Sequence, residues 1–116
     1  MDLPDWAETL PAAITVCDAD GRILAMNARA DTTFQASGGR SLVGADLMDC
    51  HPERAGRLLA ELLATGRANL YTVEKNGRRK LVAQLPWTRD GAFAGLVELS
   101  IELPDPLPHH RRDPST

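Results

Sequence analysis

The sequence predicts an α+β domain: a five-stranded antiparallel sheet with short helices and one longer helix packed on one face. Two observations carry most of this reading. Ala55, Leu58, Leu59, Leu62 and Leu63 recur at a period of 3.6 residues, the stripe of one amphipathic helix. Three Asx-Gly turn signals, Asp20-Gly21, Asn76-Gly77 and Asp90-Gly91, each separate runs rich in β-branched and apolar residues.

In chain order, Pro4 suits the entry to a short helix over Asp5–Leu10, with Trp6 and Leu10 on one face, and Pro11 stops it. Ala13–Cys17 reads as a buried strand, and Asp18-Ala19-Asp20-Gly21 turns the chain into a second strand, Arg22–Met26. Asn27 caps a short helix over Ala28–Phe34, which Gly38-Gly39 breaks. Ser41–Met48 holds Leu42, Val43 and Leu47 around Gly44 and reads as a helical turn on the core. Pro52 opens the long helix and Gly66 ends it. Leu70–Lys75 and Arg79–Leu85 form a hairpin across Asn76-Gly77, and Pro86 marks the end of the second strand or a bulge. In Phe93–Leu103, the residues Phe93, Gly95, Val97, Leu99, Ile101 and Leu103 fall on one side, and Glu98, Ser100 and Glu102 fall on the other. The expected organisation is a helical cap over residues 1–11, one domain over 12–103 and a disordered Pro-rich tail over 104–116.

Composition narrows the function. At 116 residues, 43% hydrophobic and 25% charged, the chain fits one ordinary globular domain. A net charge of -3 argues against a nucleic-acid partner, and Arg78-Arg79-Lys80 reads as a solvated hairpin end. No apolar run approaches the roughly 20 residues of a bilayer span, and the acidic start lacks a signal peptide's basic residues, so no membrane role and a cytoplasmic location are expected. Two cysteines without a CxxC or HExxH pattern give neither a disulfide framework nor a metal site.

The stretch from Ile14 to Asn27 (apolar strand, aspartate, Asp-Gly turn, Arg-Ile, asparagine) resembles the opening of a PAS domain. Leu42-Val43-Gly44, His51-Pro52, and Asp90-Gly91 followed by Gly95-Leu96-Val97-Glu98 are similar to later landmarks of that family, in the same order. The resemblance covers Leu10 to about Leu103. It implies a sensory or regulatory module that binds a small ligand or protein partner and forms a homodimer, acting on a downstream signalling protein or an effector domain outside this sequence. It makes Asp18, Gly21, Asn27 and Pro52 fold-defining. It places Trp6 and Leu10 at a dimer interface, because such domains pair through an N-terminal helix and the outer sheet face.

Other chemistries find less support. Met48-Asp49-Cys50-His51-Pro52 departs from the flavin-photosensor motif, which argues against flavin. Cys50 and His51 are weak cofactor candidates: they suggest haem as an alternative, but neighbouring residues point apart and both have structural readings, a packed thiol and a helix cap. Cys17 reads as core. Asp18, Asp20, Asp46, Asp49 and Glu53 occupy turns and a helix start, and Ser41 and Ser100 lack triad partners, so no catalytic residue is assigned. Leu42, Val43, Leu47, Leu58, Leu62, Leu81, Val97 and Leu99 are the expected lining of a core or an apolar pocket. The expectation is therefore a non-enzymatic sensor. The alternative is a small isomerase-like enzyme with an apolar pocket, distinguished by a carboxylate inside that pocket.

Overall fold

The computed structural model describes residues 1–50 and 53–114, and of Cys50 the backbone only. Helices α1 (Asp5–Glu8), α2 (Ala28–Thr33) and α3 (Glu53–Thr65) accompany strands β1 (Ala13–Asp18), β2 (Ile23–Met26), β3 (Asn69–Lys75), β4 (Arg78–Arg89) and β5 (Ala92–Leu103). Three single 3₁₀ turns, Gln35–Ser37, Gly39–Leu42 and Leu47–Cys50, link α2 to α3. All strand pairs are antiparallel, in the order β2-β1-β5-β4-β3. This is the expected α+β sheet.

Local chemistry explains the first hairpin. Asp18 Oδ1 accepts from the backbone N–H groups of Asp20 and Arg22, each at 2.9 Å. Gly21 adopts φ +87°, which a side chain rarely tolerates, and its N–H donates to the Asp18 carbonyl at 3.0 Å. Helix α1 is shorter than expected. It ends at Glu8, so Leu10 lies beyond it, and the residue seated on the sheet is Ala7 rather than Trp6. Strand β4 runs through Pro86 instead of ending there. Pairing with β3 stops at Gln84, so the proline's missing N–H faces no strand on that side.

The two faces of the sheet are packed differently. On the helix side, Cys17 and Leu96 meet Leu59 and Leu62 of α3, while Ala13, Ile23 and Met26 meet Ala30, Phe34, Leu42 and Leu47. On the outer side, Ile14, Val16, Val97, Leu99 and Trp87 pack with Leu3, Ala7, Leu24 and Ala25. The apolar alternation of β5 therefore points away from α3, and Leu96, Glu98 and Ser100 point towards it. Phe93 breaks this parity. The register shift beside Trp87/Thr88 inserts Ala94 opposite no partner, which turns Phe93 to the helix side beside Leu62 and Gly66.

Trp87 joins three strands. It pairs with Gly95 of β5, and its Nε1–H reaches past that glycine to the Cys17 carbonyl of β1 at 3.0 Å. A Cβ at Gly95, where φ is +149°, would overlap that carbonyl oxygen, so the close approach of β1 and β5 requires glycine. Residues 104–114 form no helix or strand and are largely exposed.

Candidate functional site

The space between the sheet and the α2–α3 layer holds two hollows that share Thr15 and Leu47 as walls. The larger, of about 180 Å³, is lined also by Ile23, Met26, Phe34, Ser37 and Leu42. The smaller, of about 20 Å³, is lined also by Cys17, Leu59, Gln84, Leu96 and Glu98. A hollow of about 280 Å³ at the β3–β4 hairpin is larger, but charged side chains and tail residues wall it outside the packed layers. The interlayer cleft lies against the core residues Ile23, Met26, Leu59 and Leu96.

Its floor is polar. Strand register aligns Thr15, Glu98, Gln84 and Asn69 in one row across β1, β5, β4 and β3. Asn69 Nδ2 donates to Gln84 Oε1 at 2.8 Å, and Gln84 Nε2 donates to Glu98 Oε2 at 3.1 Å. Burial pushes the Cys17 thiol above its ordinary 9.0, and the nearby Asp18 and Glu98 carboxylates push it further against a lowering backbone hydrogen bond at Leu96. Burial and the Glu98 charge likewise raise the Tyr71 phenol above its ordinary 10.0. Cys17 is thus a protonated core thiol at neutral pH, without the electropositive setting that activates one.

Next to Met26 of the cleft, Asn27 forms a buried anchor. Asn27 is fully buried, and its Oδ1 accepts from the N–H groups of Ile14 and Ala30, both at 2.9 Å. Its Nδ2 donates to the carbonyls of Ala7, at 2.9 Å, and Ala12, at 2.8 Å. One amide thereby ties α1, β1 and the start of α2 together.

The residues expected to line a pocket separate into four groups. Leu42 and Leu47 do line the larger hollow. Leu62 is fully buried in the contact between α3 and the sheet. Val43 and Leu58 are partly exposed, because Val43 follows the 3₁₀ turn outward and Leu58 stands at the edge of the α3 stripe. Leu81, Val97 and Leu99 lie on the outer face, since they share the parity of Ile14 and Val16 across the ladder. Asp18, Gly21 and Asn27 hold backbone as described. Trp6 is 68% and Leu10 38% exposed. His51, Pro52 and the Cys50 side chain lie outside the described residues. Among the described residues, no three His, Cys, Asp or Glu side chains converge as a metal site. Reading from sequence does not single out Thr15, Ile23, Met26, Phe34, Asn69, Tyr71, Gln84 or Glu98. The one available signal was a polar residue on each of several adjacent strands.

This topology, with a cleft under a sheet and an asparagine anchor, defines a PAS fold, and comparison bears that out. A family model described as PAS fold matches residues 7–103, so the chain belongs to that family. Its domains are commonly sensory modules of histidine kinases and receptors and are typically non-catalytic. Among solved structures, a C-terminal domain from Streptococcus mutans is 22% identical with a TM-score of 0.68, covering 83% of this chain and 78% of that one. The PAS domain of Bordetella pertussis BvgS is 21% identical with a TM-score of 0.63, covering 84% and 81%. The PAS domain of histidine kinase ThkA is 18% identical with a TM-score of 0.63, covering 78% and 97%. At these identities the likeness is one of fold. No curated protein matches the chain. Among the described residues, no helix is long and apolar enough to cross a membrane.

Proposed function

We propose that this chain is a non-catalytic sensory or regulatory module that binds a small ligand in the interlayer cleft and acts on a downstream signalling protein or effector domain. The observation that carries this reading is the hollow of about 180 Å³ between the sheet and the α2 layer, apolar on most sides and bounded by Phe34, Leu42 and Leu47. A ligand there bears on α2, whose first turn hangs from the same Asn27 amide that holds the Ala7 carbonyl of α1. A ligand that prefers one packing of α2 then shifts the population of α1 positions, which is a signal. A cytoplasmic location accompanies this reading, with Cys17 kept as a thiol in a reducing compartment.

The same surface logic supports homodimerisation. Trp6 and Leu10 are exposed beside the apolar outer face, where Leu70 and Ile101 are also exposed. Glu98, a carboxylate in the cleft wall, is the observation that favours the enzyme alternative. General acid–base work needs partners tuned near the operating pH. The Cys17 thiol and Tyr71 phenol beside Glu98 are instead both pushed upward, away from neutrality.

Native mass spectrometry of the protein as purified tests the reading. The expected result is a mass above the 12.6 kDa chain that disappears on denaturation, or a matching gain on addition of a cleft-binding compound. A bare chain that gains no mass with any compound removes the ligand from the proposal.

A further inference from the structure

We propose that β3 is a docking edge for a second copy of this chain, the two β3 strands pairing antiparallel about a twofold axis at Thr72. This goes beyond the reading above, which places dimerisation at α1 and the outer face, and it uses a different surface.

The two edges of the sheet differ. β2 is closed by the chain itself: the Ile23 N–H donates to the Ala45 carbonyl at 2.9 Å, and the Ile23 carbonyl accepts from the Gly44 N–H at 2.8 Å. β3 has no such cover. Among the described residues, the backbone of Leu70, Thr72 and Glu74 makes no hydrogen bond outside the sheet ladder. Six of its seven residues are exposed, among them Leu70, Tyr71 and Val73. It contains no proline and no register shift against β4, two devices that keep edge strands apart. Its charges, Glu74 and Lys75, stand together at one end.

The strand's own pattern selects the occupant. Asn76 and Gly77, at φ +54° and +75°, form a two-residue turn that makes Lys75 and Arg78 a hydrogen-bonded pair. With the register unbroken, Asn69, Tyr71, Val73 and Lys75 turn their N–H and C=O groups to β4. Leu70, Thr72 and Glu74 turn theirs outward, a set centred on Thr72. A second β3 laid antiparallel on that centre pairs the whole strand, and any other centre pairs less of it. Thr72 meets itself and Leu70 meets the second copy's Glu74 as hydrogen-bonded pairs. Tyr71 meets the second copy's Val73 as a non-hydrogen-bonded pair, where side chains approach most closely. Aromatic with β-branched and threonine with threonine are both favourable cross-strand pairs. Like charges never face each other in this register, whereas a centre at Glu74 would set two carboxylates opposite. An edge contact falls below the roughly 1,200 Å² of a standard interface, so the dissociation constant is expected on the order of 100 μM.

The test uses the full chain carrying Trp6→Ala, which removes the α1 interface proposed above. Sedimentation equilibrium and amide hydrogen exchange are followed from about 10 μM to about 1 mM, a range that brackets the expected constant. The expected result is a monomer–dimer equilibrium in which the N–H groups of Leu70, Thr72 and Glu74 exchange more slowly as concentration rises. Those of Tyr71 and Val73, bonded to β4, are slow throughout. Thr72→Lys sets like charges on the axis and should weaken the dimer about fivefold. An equal mixture of the Thr72→Lys and Thr72→Glu chains should restore it, which a merely damaged fold would not. A chain that stays monomeric to the highest concentration overturns the proposal, as does a dimer whose three outward amides stay fast. Protection of those amides without a dimer assigns the edge to a different strand and overturns it as well. Exchange in the chain without a Thr72 substitution stands by itself should either Thr72 variant fail to fold.

Discussion

Asn27 uses every hydrogen-bonding position its amide possesses: two lone pairs accept from Ile14 and Ala30, and two N–H groups donate to Ala7 and Ala12. The partners come from three separate segments, so truncating the side chain leaves several buried backbone groups unpaired at once. Asn27→Ala is expected to destabilise the fold by about 3–5 kcal/mol, more than the roughly 1 kcal/mol of an ordinary N-cap, because each orphaned group carries its own desolvation cost. Urea denaturation followed by circular dichroism measures this. A loss near 1 kcal/mol would mean that water or relaxation replaces the tie to α1. Asp18 works in the same manner on a smaller scale, with one oxygen serving two N–H groups of its turn.

Helix α3 turns its stripe unevenly onto the sheet. Leu59 and Leu62 are buried against Cys17 and Leu96, whereas Leu58 is 37% exposed at the rim. Leu62→Ala should therefore cost about 3 kcal/mol, within the range for a closed core site, and Leu58→Ala about 1 kcal/mol or less. Thermal midpoints of the two variants check the difference; equal shifts would place α3 at another rotation. Such an element was readable from the sequence because Ala55, Leu59 and Leu62 follow its period, and the hairpins were readable because Asp20-Gly21 and Asn76-Gly77 supply the required turn geometry. What alternation does not encode is direction. Val97 and Leu99 share a face with Gly95, but nothing in the pattern says whether α3 or α1 covers that face. Leu81, Val97 and Leu99 are accordingly expected around the core or pocket but lie on the outer face, while Glu98 and Gln84, of the opposite parity, line the cleft. Phe93 was misplaced for a further reason: an unpaired Ala94 leaves no mark in composition yet reverses every side chain before it. The 3₁₀ turns Gly39–Leu42 and Leu47–Cys50 were visible only as an irregular apolar stretch, since short turns lack a period.

For the molecule as a whole, the outer face of the sheet is the surface still to be accounted for. Helix α1 covers part of it through Ala7, while Trp6 and Leu10 project outward near its edge. If two copies pair there, Trp6→Ala converts a dimer of the parent chain into a monomer in sedimentation velocity with little change in circular dichroism, as expected for an aromatic hot spot. An unchanged sedimentation coefficient would assign α1 to covering its own sheet alone. The strand order has a different consequence, one of timing. β1 lies between β2, its immediate successor, and β5, the last strand, with Ala13 opposite Ser100 and Asp18 opposite Gly95. During synthesis on a ribosome the first hairpin therefore emerges long before its second neighbour exists, and the seam through the middle of the sheet closes only when β5 leaves the exit tunnel. Pairing across so large a sequence separation carries a loop-closure cost that no early fragment can offset, so β1 holds an unsealed edge until β5 is available.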